Sequence, residues 1–136
     1  MLKIFAGLKG SGKTKHLIEL CNAAQDATSG NVVCIEQGKK LIHEIKNQVR
    51  LIDTTEYGVD DWKKLFGFVA GILAGNYDIT DIFVDSALKI CKNDIDGFET
   101  FVSTVLPLLE AHNVSFVITA SVEIEKIPES LKKYLA

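Results

Sequence analysis

The segment Gly7-Leu8-Lys9-Gly10-Ser11-Gly12-Lys13-Thr14 matches the pattern GxxxxGK[ST] at every defined position. It follows the apolar run Leu2–Ala6 and leads into Lys13–Gln25, where Leu17, Ile18, Leu20, Cys21 and Ala24 recur near helical spacing. Strand, glycine-rich loop and helix form the context in which this pattern makes a phosphate cradle. Gly7, Gly10 and Gly12 let the backbone bend into a concavity lined by N–H groups, and the helix presents the positive end of its dipole to an anion. Lys13 is expected to reach the β- and γ-phosphates of ATP, and the Thr14 hydroxyl to ligate Mg2+ between them. Lys9, Ser11 and Lys15 complete the expected nucleotide-binding set.

Outward from the loop, apolar strands alternate with helical stretches. A turn at Thr28–Asn31 precedes the buried strand Val32–Ile35. Lys39–Lys46 can form a short helix through Leu41, Ile42 and Ile45, followed by a strand at Val49–Asp53. Val59–Gly75 reads as a long helix on the spacing of Trp62, Leu65, Phe66, Val69, Ala70, Ile72 and Leu73. That stripe suits a helix covering a sheet better than a partner groove. Ile82–Asp85 is an apolar strand ending in a carboxylate, Asp96–His112 a helix broken or kinked near Pro107, and Val114–Thr119 another strand. Pro128 opens a short closing helix in the polar stretch Glu123–Ala136. Continuous apolar strands alternating with helices predict a mainly parallel five-stranded sheet in a three-layer α/β/α fold, with ligands at the carboxyl ends of the strands.

With 136 residues, 47% of them hydrophobic and 24% charged, the chain is expected to form one globular domain, residues 1–136, rather than a two-domain enzyme. The net charge of -3 argues against nucleic acid or an anionic membrane as partner. Through Arg50, eight basic side chains face four acidic ones; beyond it the ratio is seven to fourteen, which places an anion site in the amino-terminal part. Cys21, Cys34 and Cys91 form no CxxC pair, and no targeting signal or membrane-spanning run is evident, so a reduced, cytoplasmic setting without membrane insertion is expected. His16, His43 and His112 are too scattered for zinc.

A phosphate loop needs a second acidic anchor for its magnesium, typically an Asp at the end of another buried strand, and Asp85 supplies it. Asp81, at the other end of that strand, is read as solvated. The order of strand, GxxxxGKT, helix, acid-ending strand and final apolar strand resembles the core of the RecA-like P-loop NTPases over nearly the whole chain. The resemblance implies that Glu36, closing Val33-Cys34-Ile35-Glu36, polarises the attacking water. It also implies that Val84-Asp85-Ser86 is the Walker B strand, and that Thr119 or Ser121 takes the place of the polar γ-phosphate sensor, where an amide is usual. On its own terms Glu36 reads equally as a loop or helix-start carboxylate. The chain lacks length for the DNA-binding loops of the recombinases, so strand exchange is not expected.

These readings converge on Mg-ATP binding with slow hydrolysis. The alternatives are a nucleotide-dependent switch or assembly module without useful turnover and a small nucleoside kinase resembling thymidine kinases without their zinc lobe. Kinases that clamp two phosphate groups use several arginines, and this chain has only Arg50, which reads as an exposed charge rather than a finger acting on a neighbouring subunit. No Asn-Lys-x-Asp loop marks a guanine site, which leaves ATP as the default. A homo-oligomer or protein partner is compatible with a phosphate loop that has no transition-state cation of its own.

Overall fold

The computed structural model describes residues 1–136. The apolar runs become five strands: β1 (Leu2–Gly7), β2 (Asn31–Glu36), β3 (Arg50–Asp53), β4 (Ile79–Val84) and β5 (Ser115–Ser121). All run parallel in one sheet, in the order β1-β5-β4-β2-β3. Register lines up Ile4, Ile118, Val84, Ile35 and Ile52 as one row across all five strands. Each next residue points to the opposite face, so both faces are apolar and both need a cover.

Two helical layers supply it. Helix α1 (Lys13–Ala27) packs Leu17 and Cys21 with Val32, Cys34, Phe83 and Val117 on one face. On the other face lie α2 (Trp62–Gly75), the short α3 (Ala87–Ile90) and α4 (Ile95–His112). There Leu65, Val69, Phe98 and Phe101 pack with Ile4, Ile35, Val84 and Ile118 in the larger core. The chain therefore leaves β1 toward one face and β4 toward the other. Strand β5 lies between them, and a crevice opens at their carboxyl ends where the outgoing connections diverge.

Four expectations need correction. Residues 39–46 form turns, not a helix, although Leu41 and Ile45 are buried as an amphipathic turn would bury them. The Glu36 carboxylate binds the N–H groups of Lys40 and Leu41, and Asn22 binds the carbonyl of Glu44 and the N–H of Lys46. Only the Glu44 and Ile45 N–H groups donate within the segment, both to the Leu41 carbonyl, and so short a stretch does not meet the cost of helix nucleation. Helix α2 starts at Trp62, three residues later than expected, because Asp61 caps it by accepting from the Lys64 N–H at 2.8 Å. Helix α4 continues unbroken through Pro107, whose ring is exposed while Val105 and Leu109 stay buried. Strand β4 begins at Ile79 and ends at Val84, which leaves Asp85 just beyond the sheet.

Candidate phosphate-binding site

Strand β1 ends at Gly7, and the loop that follows returns sharply on itself. A Cβ on Gly7 would lie 2.7 Å from Ser11 Oγ, so a side chain there would force Ser11 to turn away. Gly12 occupies the N-cap of α1 at φ 86°, a left-handed conformation that glycine adopts without steric cost. It provides no side chain to cap the helix. The first turn contains no acidic residue and instead places Lys13 and Lys15 at the positive end of the dipole. Helices α2 and α4 differ at the cap: Asp61 and Asp94 cap them through their carboxylates, and Asp96 sits in the first turn of α4. Of the three long helices, α1 alone begins without a side-chain cap, an arrangement that an anion would relieve.

Thr14, one residue into the helix, donates its hydroxyl to Asp85 Oδ1 at 3.1 Å and Oδ2 at 3.3 Å, a contact between residues 71 positions apart. Asp85 is 7% exposed and Thr119 1%. The Thr119 hydroxyl donates to Asp85 Oδ1 at 2.7 Å and accepts from the Ser86 N–H at 2.7 Å, which fixes the carboxylate's direction. Ser86 itself is held at φ 56°, a strained value for a residue with a side chain. The Lys13 ammonium donates to the Leu8 carbonyl at 3.0 Å and to Ser11 Oγ at 3.4 Å. Burial lowers the Lys13 pKa, and the nearby Asp85 charge partly restores it.

These groups line a crevice of about 610 Å³ that contains no hydrophobic side chain. Its charged members are Lys9, Lys13, Lys15, Lys40, Lys89 and Asp85. Of the expected site residues, Lys9, Gly10, Gly12, Lys13, Thr14, Lys15 and Asp85 therefore meet in one place, with Gly7 and Ser11 shaping the loop behind them. Ser121, which pairs with Gly7 in the sheet register, lies on the rim, whereas Thr119 is buried behind Asp85.

Glu36 is placed differently. It is 2% exposed and lines a separate cavity of about 190 Å³ beside Asp53, Ile42 and Tyr57. Both its oxygens accept backbone N–H groups, from Lys40 and Leu41, each at 3.1 Å. Burial raises its pKa, the N–H groups of Leu41 and Lys40 oppose the rise, and the charges of Asp85 and Asp53 add to it. The immediate role of this carboxylate is to anchor the 37–41 turn.

Lys40 and Lys89 escaped sequence reading. Lys40 comes from the basic amino-terminal part, so the charge asymmetry hinted at it; Lys89, four residues past Asp85 in an acidic half, had no such signal.

The pair of hard oxygen donors, Thr14 and Asp85, fits a Mg2+ ion that takes few protein ligands and completes its shell with phosphate and water. No group of three or more His, Cys, Asp or Glu is arranged to hold a metal by itself, so an all-protein cage is not what this site offers. No helix is long and apolar enough to cross a membrane. The chain matches no known protein-family model and no curated protein, so the meaning of the crevice rests on its own residues.

Proposed function

We propose that the crevice is a RecA-like P-loop site that binds Mg-ATP, with slow hydrolysis. The observation that carries this reading is the start of α1: an uncapped helix N-terminus loaded with Lys13 and Lys15, behind a loop with the full GxxxxGKT pattern. The loop's N–H groups and Lys13 would hold the β- and γ-phosphates, and Lys9 and Lys15 would add charge from its two sides. Thr14 and Asp85 would hold Mg2+, which when bound supplies positive charge to the phosphate oxygens. Thr119 keeps Asp85 aimed at Thr14 through its 2.7 Å bond. For hydrolysis, Glu36 would have to orient a water while its oxygens also hold the 37–41 turn; each carboxylate oxygen has a second lone pair for that purpose.

Calorimetry with Mg-ATP tests the binding. Lys13→Ala removes the ammonium beside the loop but leaves the backbone cradle, and should weaken ATP at least about tenfold, equivalent to about 1.4 kcal/mol. Equal affinity of parent and variant overturns the reading.

The anchored state of Glu36 favours a second reading, a switch that binds nucleotide and does not turn it over. Sensitive measurement of ADP release separates the two. Turnover that falls in Glu36→Gln supports hydrolysis, and nucleotide binding with no ADP formed by the parent supports the switch. Light scattering with and without Mg-ATP tests for a homo-oligomer, in which a neighbouring subunit would supply the missing cation.

A further inference from the structure

We propose that this crevice selects its ligand by the phosphate chain and not by the base, so that purine and pyrimidine nucleoside triphosphates bind alike. The inference rests on the reading of the crevice as a triphosphate site. A pocket recognises a base with apolar or aromatic faces and with a few placed donors and acceptors matched to its edge. Discrimination arises when the wrong base leaves such buried groups unpaired. None of the twelve residues lining this crevice is hydrophobic, so its walls offer no apolar or aromatic face on which a base could stack; the exposed apolar side chain in the loop, Leu8, is not among them. Tyr57, an exposed ring that follows β3, lines the separate cavity instead. Of the neutral polar groups, Asn93 and Ser121 lie on exposed rim positions where water competes with any base edge.

The charge has the opposite character. Five lysines against one carboxylate leave a formal balance of +4 in the crevice. None of the five makes an ion pair within the protein; the six lysines that do are Lys39, Lys46, Lys64, Lys92, Lys126 and Lys132, all elsewhere. Binding there draws on what all nucleoside triphosphates share, and the base projects from the phosphates into solvent.

The test is calorimetry on the intact protein in Mg2+ with ATP, GTP, CTP, UTP, inorganic tripolyphosphate and adenosine. The four nucleotides should agree within about threefold, well inside the discrimination of even a plain hydrophobic pocket. Tripolyphosphate should bind, adenosine should give no heat, and added NaCl should weaken the four nucleotides in parallel as it screens the lysines. Asn93→Ala should leave the ratio of ATP to GTP affinity where it is.

A preference of about tenfold or more for one base, the span that recognition of a single extra group confers, overturns the inference and leaves the triphosphate reading standing. So does heat from adenosine, or an altered ATP-to-GTP ratio in Asn93→Ala. Absence of binding by every triphosphate overturns both readings together.

Discussion

Thr119 shows how one hydroxyl links the core to the candidate site. It is buried between β1 and β4, donates to Asp85 and accepts from the Ser86 N–H, so its loss leaves the Ser86 N–H unpaired and the Asp85 carboxylate held by Thr14 alone. Thr119→Val, nearly the same in shape, should destabilise the protein by about 1–3 kcal/mol, the cost of an unpaired buried donor and a weakened carboxylate bond. It should also weaken magnesium-dependent ATP binding. Thr119→Ser should restore both, and urea unfolding with parallel calorimetry reads the two effects.

Glu36 makes a prediction with a pH signature. Because its pKa in the fold is raised above the ordinary 4.5, the folded state binds this proton more readily than the unfolded chain. The ionised carboxylate therefore weighs against the fold at pH above its raised value. That cost is relieved as pH falls through the folded pKa and does not change further below the unfolded one. Glu36→Gln lacks the titration, so the difference in melting temperature should shift in favour of the parent on acidification from about pH 8 to 4. A shift in favour of the variant would place the carboxyl below its ordinary value. If Glu36 also orients water, kcat in the variant should fall by about 10²-fold.

At the scale of elements, the two helices on the larger core treat glycine in opposite ways. Gly97 lies in the first turn of α4, where a methyl group would overlap both the Asp94 carboxylate and the Trp62 ring of α2. Asp94 caps α4 by accepting from the Gly97 N–H at 2.9 Å, so the overlap strikes the cap itself. Gly97→Ala should destabilise by about 1–3 kcal/mol despite alanine's better helix propensity, because overpacking outweighs it. Gly71, exposed in α2 with nothing within 4 Å of an added Cβ, should respond with the other sign. Gly71→Ala should stabilise by about 0.5–1 kcal/mol, by removing backbone freedom from the unfolded chain. Opposite shifts in urea midpoint check the pair.

The whole molecule treats its two sheet edges unequally. The outer edge of β1 is covered by the chain that follows β5: Leu135 bridges to Ile4, the Ala136 N–H donates to the Ile4 carbonyl at 3.0 Å, and Val122 bridges to Gly7. Leu131, in the same segment, is buried in the larger core. The opposite edge, β3, is only four residues long and opens with the exposed Arg50, features that discourage pairing with another chain. Deleting residues 129–136 should remove the burial of Leu131, about 1.5–3 kcal/mol, and uncover the edge that carries the phosphate loop. A lower urea midpoint with greater self-association is expected; an unchanged midpoint would mean that the cover adds nothing.

The sequence by itself determined the kinds of element and the loop chemistry. Apolar continuity in Val32–Ile35 and Ile82–Val84, helical spacing in Trp62–Leu73 and the glycines of Gly7–Thr14 are patterns written within a dozen or so neighbouring residues, where backbone geometry and side-chain period act directly. Their alternation also carried the parallel, doubly covered sheet. Tertiary structure alone decided what meets what. Placing β5 between β1 and β4 depends on packing among side chains far apart in the chain, and that order sets Asp85 against Thr14 and brings Lys40 and Lys89 to the same rim. Contacts outside the local pattern also shape 39–46, where Glu36 holds the N–H groups of Lys40 and Leu41 and the distant Asn22 takes the Lys46 N–H and the Glu44 carbonyl, and the segment closes as turns. Glu36 lines the neighbouring cavity, and its partners there are the backbone N–H groups of Lys40 and Leu41, which leave no trace in the pattern of side chains.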